Sequence, residues 1–146
     1  MHILYDVIPN AGITQDITIK RSIRTRAIRA GLVKGGTLDG DVTLSILDGA
    51  TTLASDIVTA AEINNLGTYS HGFFRFDIEA MLGVIGGTKE YQLKIVYDGT
   101  ESDTNYIGWK RAYADSLVLA YGSNQTDGVP INDTFSPYEI EFYRWR

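Results

Sequence analysis

Val42-Thr43-Leu44-Ser45-Ile46-Leu47 runs into Asp48-Gly49, and Tyr91-Gln92-Leu93-Lys94-Ile95-Val96-Tyr97 runs into Asp98-Gly99. Apolar side chains recur at every second position in both runs. Successive side chains of a strand point to opposite faces, so each run offers one face to a core and the other to solvent. An Asp-Gly step after such a run supplies a residue that takes positive φ without steric cost, which is hairpin chemistry. Together the two units predict an all-β fold, an antiparallel β-sandwich of jelly-roll type.

Working outward, Ile3 to Ile8 reads as a first strand, ended by Pro9-Asn10-Ala11-Gly12. From Thr14 to Ala30 the apolar positions fit both period two and a helical stripe. Ile and Thr are stiff at χ1 and favour extended backbone, so the segment is read as strand, with a bulge or kink where Arg21 interrupts the apolar face. Gly31 to Gly40 reads as a loop. After the hairpin of Val42–Leu47 and Thr51–Ala54, Ser55 to Leu66 is the best helix candidate, with Thr59 and Glu62 spaced as a capping box. Further strands are expected at 72–78, 91–97, 105–113, 116–121 and 138–145. Some eight or nine short strands with at most one or two short helices suit a sandwich. Val42, Leu44, Ile46, Phe74, Phe76, Tyr91, Leu93, Ile95, Ile140 and Phe142 should form its core.

A chain of 146 residues is expected to form one domain over residues 1–146. Its fifteen Gly suit many turns, and its formal charge of −5 argues against a general nucleic-acid binder, whose phosphate contacts need a cationic surface. With no Cys, neither a disulfide framework nor a thiolate metal site can form. No stretch reads as a signal peptide or membrane span, so synthesis and folding in a cytoplasm are expected, with no membrane partner.

No catalytic constellation emerges, and the chain is read as a non-enzyme with no cofactor. His71 lacks a partner acid and nucleophile in a matching arrangement. Asp77 and Glu79 share a strand parity, yet such neighbours arise by chance among eighteen acids. The loop 98–105 is rich in oxygen, and Asp98, Asp103 and Asn105 are the weak candidate set for Ca²⁺. They lack the order of a known calcium loop, so the metal assignment stays at none.

Against the acidic balance stands one basic run: Lys20, Arg21, Arg24, Arg26 and Arg29. It lacks the interleaved aromatics that single-stranded nucleic acid stacks on, so it reads as a solvated face or as a docking surface for an acidic protein. Tyr143 and Trp145 have the parity opposite to Tyr138, Ile140 and Phe142 and should point outward. Beside Arg144 and Arg146 they have the aromatic-plus-Arg composition of contact surfaces. Lys20, Arg24, Arg26, Tyr143 and Trp145 are therefore the candidate interface residues. The strand-like ends make a homo-oligomer, dimer or trimer, an expectation. Tyr106 and Trp109 are candidate rings for stacking a glycan, with the 98–105 loop addressing its hydroxyls.

Thr52-Leu53-Ala54-Ser55, Glu62-Ile63-Asn64-Asn65-Leu66, Gly72-Phe73-Phe74-Arg75-Phe76 and the turn-and-strand of residues 86–95 give residues 42–113 a recognisable texture. It resembles the small β-sandwich virion proteins of tailed bacteriophages. That resemblance implies a non-enzymatic structural protein of the virion, foremost a capsid decoration or cement protein that binds other capsid or virion proteins. The alternatives are a carbohydrate-binding module of a tail or fibre, and a head–tail or collar component.

Overall fold

A computed structural model describes residues 5–67, 70–110, 120–121 and 138–143. Within them lie β1 (Tyr5–Val7), β2 (Ile13–Ile19), β3 (Ile23–Gly35), β4 (Val42–Asp48), β5 (Thr51–Val58), α1 (Ala60–Ile63), β6 (His71–Phe76), β7 (Met81–Leu82), β8 (Lys89–Tyr97), β9 (Tyr106–Lys110), β10 (Ala120–Tyr121) and β11 (Tyr138–Phe142). One sheet runs β1-β9-β3-β11, with β6 and β7 also on β3; the other runs β10-β2-β8-β4-β5. Pairing is antiparallel throughout, except that β10 lies parallel to β2. The expected antiparallel sandwich is the observed one, with more strands than the eight or nine expected because several are only two or three residues long.

The alternation that predicted strands also fills the core. Ile17, Ile19, Leu44, Ile46, Leu93 and Ile95 of one sheet meet Ile28, Leu32, Phe76, Ile107 and Ile140 of the other in a single buried cluster. Of the expected core residues, Phe74 and Phe142 are only partly buried and pack against its margin.

Three local readings are corrected. Lys20 to Ser22 does more than kink a strand: it ends β2 and carries the chain from one sheet to the other. Residues 31–35 are strand, because Gly31 and Gly35 lie under neighbouring side chains rather than in a loop. A Cβ on Gly35 would run into the Tyr106 ring, and one on Gly31 would lie 2.6 Å from Lys110 Cδ. The helix spans only Ala60–Ile63, since β5 continues through Val58, where Val42 pairs it across the hairpin. Its cap is the expected one: Thr59 Oγ1 accepts from the Glu62 N–H and donates to the Glu62 carboxylate.

The two Asp-Gly steps part company. Gly49 takes φ +61° and turns the chain tightly from β4 into β5. Gly99 has no positive φ, and β8 pairs with β2 and β4 rather than with the strand that follows it. Here glycine serves close approach, because a Cβ on Gly40 or Gly99 would strike the other loop or the Tyr97 hydroxyl. Asp39 Oδ1 ties these loops together, accepting from the Thr100 N–H at 2.8 Å and the Tyr97 hydroxyl at 3.0 Å. The bonds from Thr100, then from Tyr97, hold the Asp39 carboxyl below its ordinary value.

Strand β3 organises the first sheet. Along one edge it pairs with β7 at Ile23 and Arg24, then with β6 from Ile28 to Val33; along the other it pairs with β11 and then β9. Between β6 and β7 the chain swings away, and Thr25 fills the gap. This fully buried residue donates from its hydroxyl to Ile78 O at 2.9 Å and accepts from the Ala80 N–H at 2.9 Å.

Three measurements check this account. Phe76→Ala should destabilise by about 3–5 kcal/mol in denaturant unfolding, since it deletes a fully buried ring. Thr25→Val keeps the shape but leaves the Ala80 N–H and the Ile78 carbonyl without the hydroxyl; it should cost about 1–3 kcal/mol. For Asp39 the folded carboxyl is the stronger acid, so the unfolded chain binds more protons. Its stabilisation is complete above the ordinary value of 3.8 and is lost as pH falls through the lower folded value. Asp39→Asn should therefore lower the melting temperature at neutral pH and flatten its decline on acidification below that value.

Candidate functional site

Two places on the outer surface of the β3 sheet gather the residues that the sequence singled out. The first is built where β11 meets the start of β3. The ladder slips between Glu141 and Phe142: Glu141 faces Ala27 while Phe142 faces Thr25, so Arg26 is an extra residue in β3. This bulge restores the outward direction for Arg29, which strict period two would have turned toward the core. Arg24 and Arg26 both end over the Tyr143 ring, with guanidinium carbons 4.8 and 5.7 Å from its centroid. The Tyr143 hydroxyl donates to Glu79 Oε1 at 2.5 Å, and the Tyr143 N–H bonds Arg24 O at 3.0 Å. The bond to Glu79, followed by desolvation, raises the phenol above its ordinary value. Tyr143 nonetheless remains 38% exposed.

Most of the arginine run is engaged within the chain. Arg24 pairs with Glu79 at 3.6 Å, and Arg29 pairs with Glu141, which also takes Arg75 at 3.4 Å. Arg75 in turn holds Asp77 at 3.0 Å. Asp77 and Glu79, a same-face carboxylate pair in the sequence, thus each serve a different arginine. Arg26 is exposed and has no ion pair among the described residues. Lys20 is exposed in the turn between β2 and β3, and Trp145 lies outside the described residues.

The second place is the opposite end of β3, against β9 and β1. Tyr106 faces outward and lies across Gly35; Tyr5 lies across Gly108. The two rings stack at a centroid distance of 5.9 Å and 14° between planes, with their hydroxyls 2.9 Å apart. Trp109 alternates to the other face and is buried in the core at 3% exposure, so it offers no stacking surface. Beside Tyr106 a cavity of about 390 Å³ opens between the end of β1 and the 98–105 loop, lined among others by Val7, Pro9, Glu101, Ser102 and Asp103.

The loop is locally braced. Glu101 Oε1 accepts from the Asn10 N–H at 2.7 Å, while Asn10 Nδ2 donates to Tyr97 O and Gly99 O. Ser102 Oγ accepts from the Thr104 and Asn105 amides. Two of the three calcium candidates already serve backbone N–H groups: Asp98 Oδ1 accepts from Asp41 at 2.6 Å and Asn105 Oδ1 from Thr37 at 2.9 Å. Among the described residues no three His, Cys, Asp or Glu side chains gather as a metal site. His71 is exposed at the start of β6, in register with Val33. No helix among the described residues is long and apolar enough to cross a membrane.

Sequence reasoning missed Tyr5, Glu79 and Glu141 as members of these clusters. Their signal lies in pairing between strands, which a single sequence does not print. One clue was present: the outward Tyr106 needs a glycine opposite, and Gly35 supplies it.

No family model matches the chain, and no curated protein matches it. Among solved structures it is similar to the VP2 subviral particle of infectious bursal disease virus, at 15% identity and a TM-score of 0.34. A second is the T13 viral particle of the same virus, at 19% identity and a TM-score of 0.32. Each match covers 73% of this chain, which spans only 28% and 26% of the matched chains. At these values no functional residue is transferred.

Proposed function

We propose that this chain is a non-enzymatic structural protein of a virion, a capsid decoration protein that docks through the outer face of β3 and β11. The observation that carries the reading is the Arg24–Arg26–Tyr143 cluster. An exposed ring with two guanidinium groups against it offers area, directed donors and little entropy to lose, the composition of contact centres.

The cluster sits on β11, which pairs through one edge with β3 and through the other with no described strand. An edge without a described neighbour, adjoining a preformed aromatic–Arg patch, suits addition to a larger assembly. Charge alone is a weaker argument than the sequence suggested, because Glu79 and Glu141 neutralise much of the run. The partner is therefore read as a surface with an acceptor for Arg26 and a slot for Tyr143, rather than as a broadly acidic protein.

The test is binding to heads of the phage whose genome encodes the chain, assembled without it. Wild-type protein should co-sediment saturably and raise the temperature at which the heads open. Arg26→Glu together with Tyr143→Ala should weaken binding by tenfold or more, on the scale of about 2 kcal/mol for a contact-centre residue. Circular dichroism of that variant should stay wild-type. Undiminished binding by the double variant, or none by the wild type, defeats the reading.

A further inference from the structure

The cavity at the far end of β3 has a different chemistry from the docking cluster, and neither Arg24 nor Arg26 touches it. We propose that it is a binding site for a neutral saccharide. At about 390 Å³ it falls within the range that small-molecule sites occupy. Its walls divide by type. Val7, 52% exposed, joins Ile8 and Pro9 as an apolar side, with Tyr106 beside them. Glu101, Ser102 and Asp103 from the 98–105 loop form the polar side.

A pyranose has the complementary division. Its C–H face packs on apolar side chains, and its hydroxyls are donors that a carboxylate accepts in pairs. Asp103 is exposed and has no hydrogen bond among the described residues, so both of its oxygens are open to a diol. Glu101 engages Oε1 with the Asn10 N–H, which fixes the carboxylate and turns a braced acceptor toward the cavity. Ser102 Oγ is held by two backbone amides, and its own proton is free to point at a ligand oxygen or at Thr104.

Specificity follows from what the lining lacks. Among the described residues no Lys, Arg or His borders the cavity, while two carboxylates do. A sialylated or uronic glycan, or a phosphate ester, would bring its charge against them uncompensated. Neutral sugars meet no such penalty. Tyr106 is braced beside the cavity by Gly35 and by stacking on Tyr5, so this side is preorganised and little ordering entropy is lost on binding.

The experiment is a ¹H–¹⁵N NMR titration of the full chain, in buffer containing EDTA, against methyl glycosides of glucose, galactose and mannose, chitobiose, and sialyllactose. At least one neutral sugar should shift amides confined to residues 7–10 and 101–106, and sialyllactose should not. Asp103→Asn, an exposed change that leaves packing intact, should weaken that sugar by about tenfold, the scale of one charged hydrogen bond. Tyr106→Phe should retain binding and Tyr106→Ala should lose it; because Tyr106 packs on Gly35, Asp103→Asn is the decisive variant if Tyr106→Ala unfolds. Arg26→Glu should bind the sugar as wild type does, which separates this site from the docking surface. Absence of any neutral-sugar shift, equal binding of sialyllactose, or an unchanged dissociation constant in Asp103→Asn overturns the proposal.

Discussion

One strand holds the first sheet together. β3 is thirteen residues long, and each of its edges is shared by two partners laid end to end: β7 then β6 on one side, β11 then β9 on the other. All four partners take their register from it, and none of them is long enough to form a stable sheet alone. The strand must therefore satisfy its backbone in the gap where the chain swings between β6 and β7. Thr25 does this with a buried hydroxyl, and the neighbouring bulge at Arg26 keeps Ile23, Thr25, Ile28 and Ala30 on the core side. A bulge and a buried hydroxyl at adjacent positions are one solution to one problem. An uninterrupted two-residue period would have turned either Ile23 or Ile28 to solvent.

The same device explains the electrostatics of the outer face. With the bulge, Arg24 and Arg29 project on one side, although they are five positions apart. Acids from two other segments then meet them, Glu79 ahead of β7 and Glu141 in β11, while Asp77 after β6 holds Arg75, which Glu141 also takes. These pairs are largely exposed, so each contributes little to stability. Under the proposed docking, their consequence is for recognition. They hold side chains in defined positions and leave Arg26, the bulge residue itself, as the arginine of the cluster without a carboxylate partner among the described residues.

The fold was legible in the sequence wherever a strand has one wet face. β4, β8 and β11 alternate, and their inward residues are the observed core, with Phe142 at its margin. Legibility failed where backbone geometry answers to a neighbour. Gly31 and Gly35 look like loop residues by composition, yet they are strand residues with a side chain lying over them. Asp98-Gly99 looks like Asp48-Gly49, yet it opens a crossing between sheets, because the next strand belongs to the other layer. Trp109 and Tyr106, three residues apart on one strand, take opposite faces; composition alone grouped them. The Arg24–Arg26–Tyr143 cluster was half visible, since parity put all three outward. Glu79 was not, because only tertiary pairing brings it there.

The two surface sites share β3 but not a field. From Gly35, under the Tyr106 ring, to Arg24 the strand advances eleven residues, roughly 35 Å at about 3.3 Å per residue. Screening at physiological ionic strength acts over about 8 Å, so the acidic cavity and the arginine cluster do not sense each other's charge. Mechanical coupling is the remaining route, and it would have to pass along the interior of β3. That interior is the best-fastened part of the sheet, paired on both edges from Ile28 to Ala30 by β6 and β11 and on both edges again at Leu32 and Val33 by β6 and β9. A segment so held has no second arrangement of comparable energy, and transmission between sites needs an element with two. Docking at one end, as proposed, would therefore leave the cavity at the other end unchanged. A decoration protein built this way would present the same cavity to its surroundings whether free or seated on a particle.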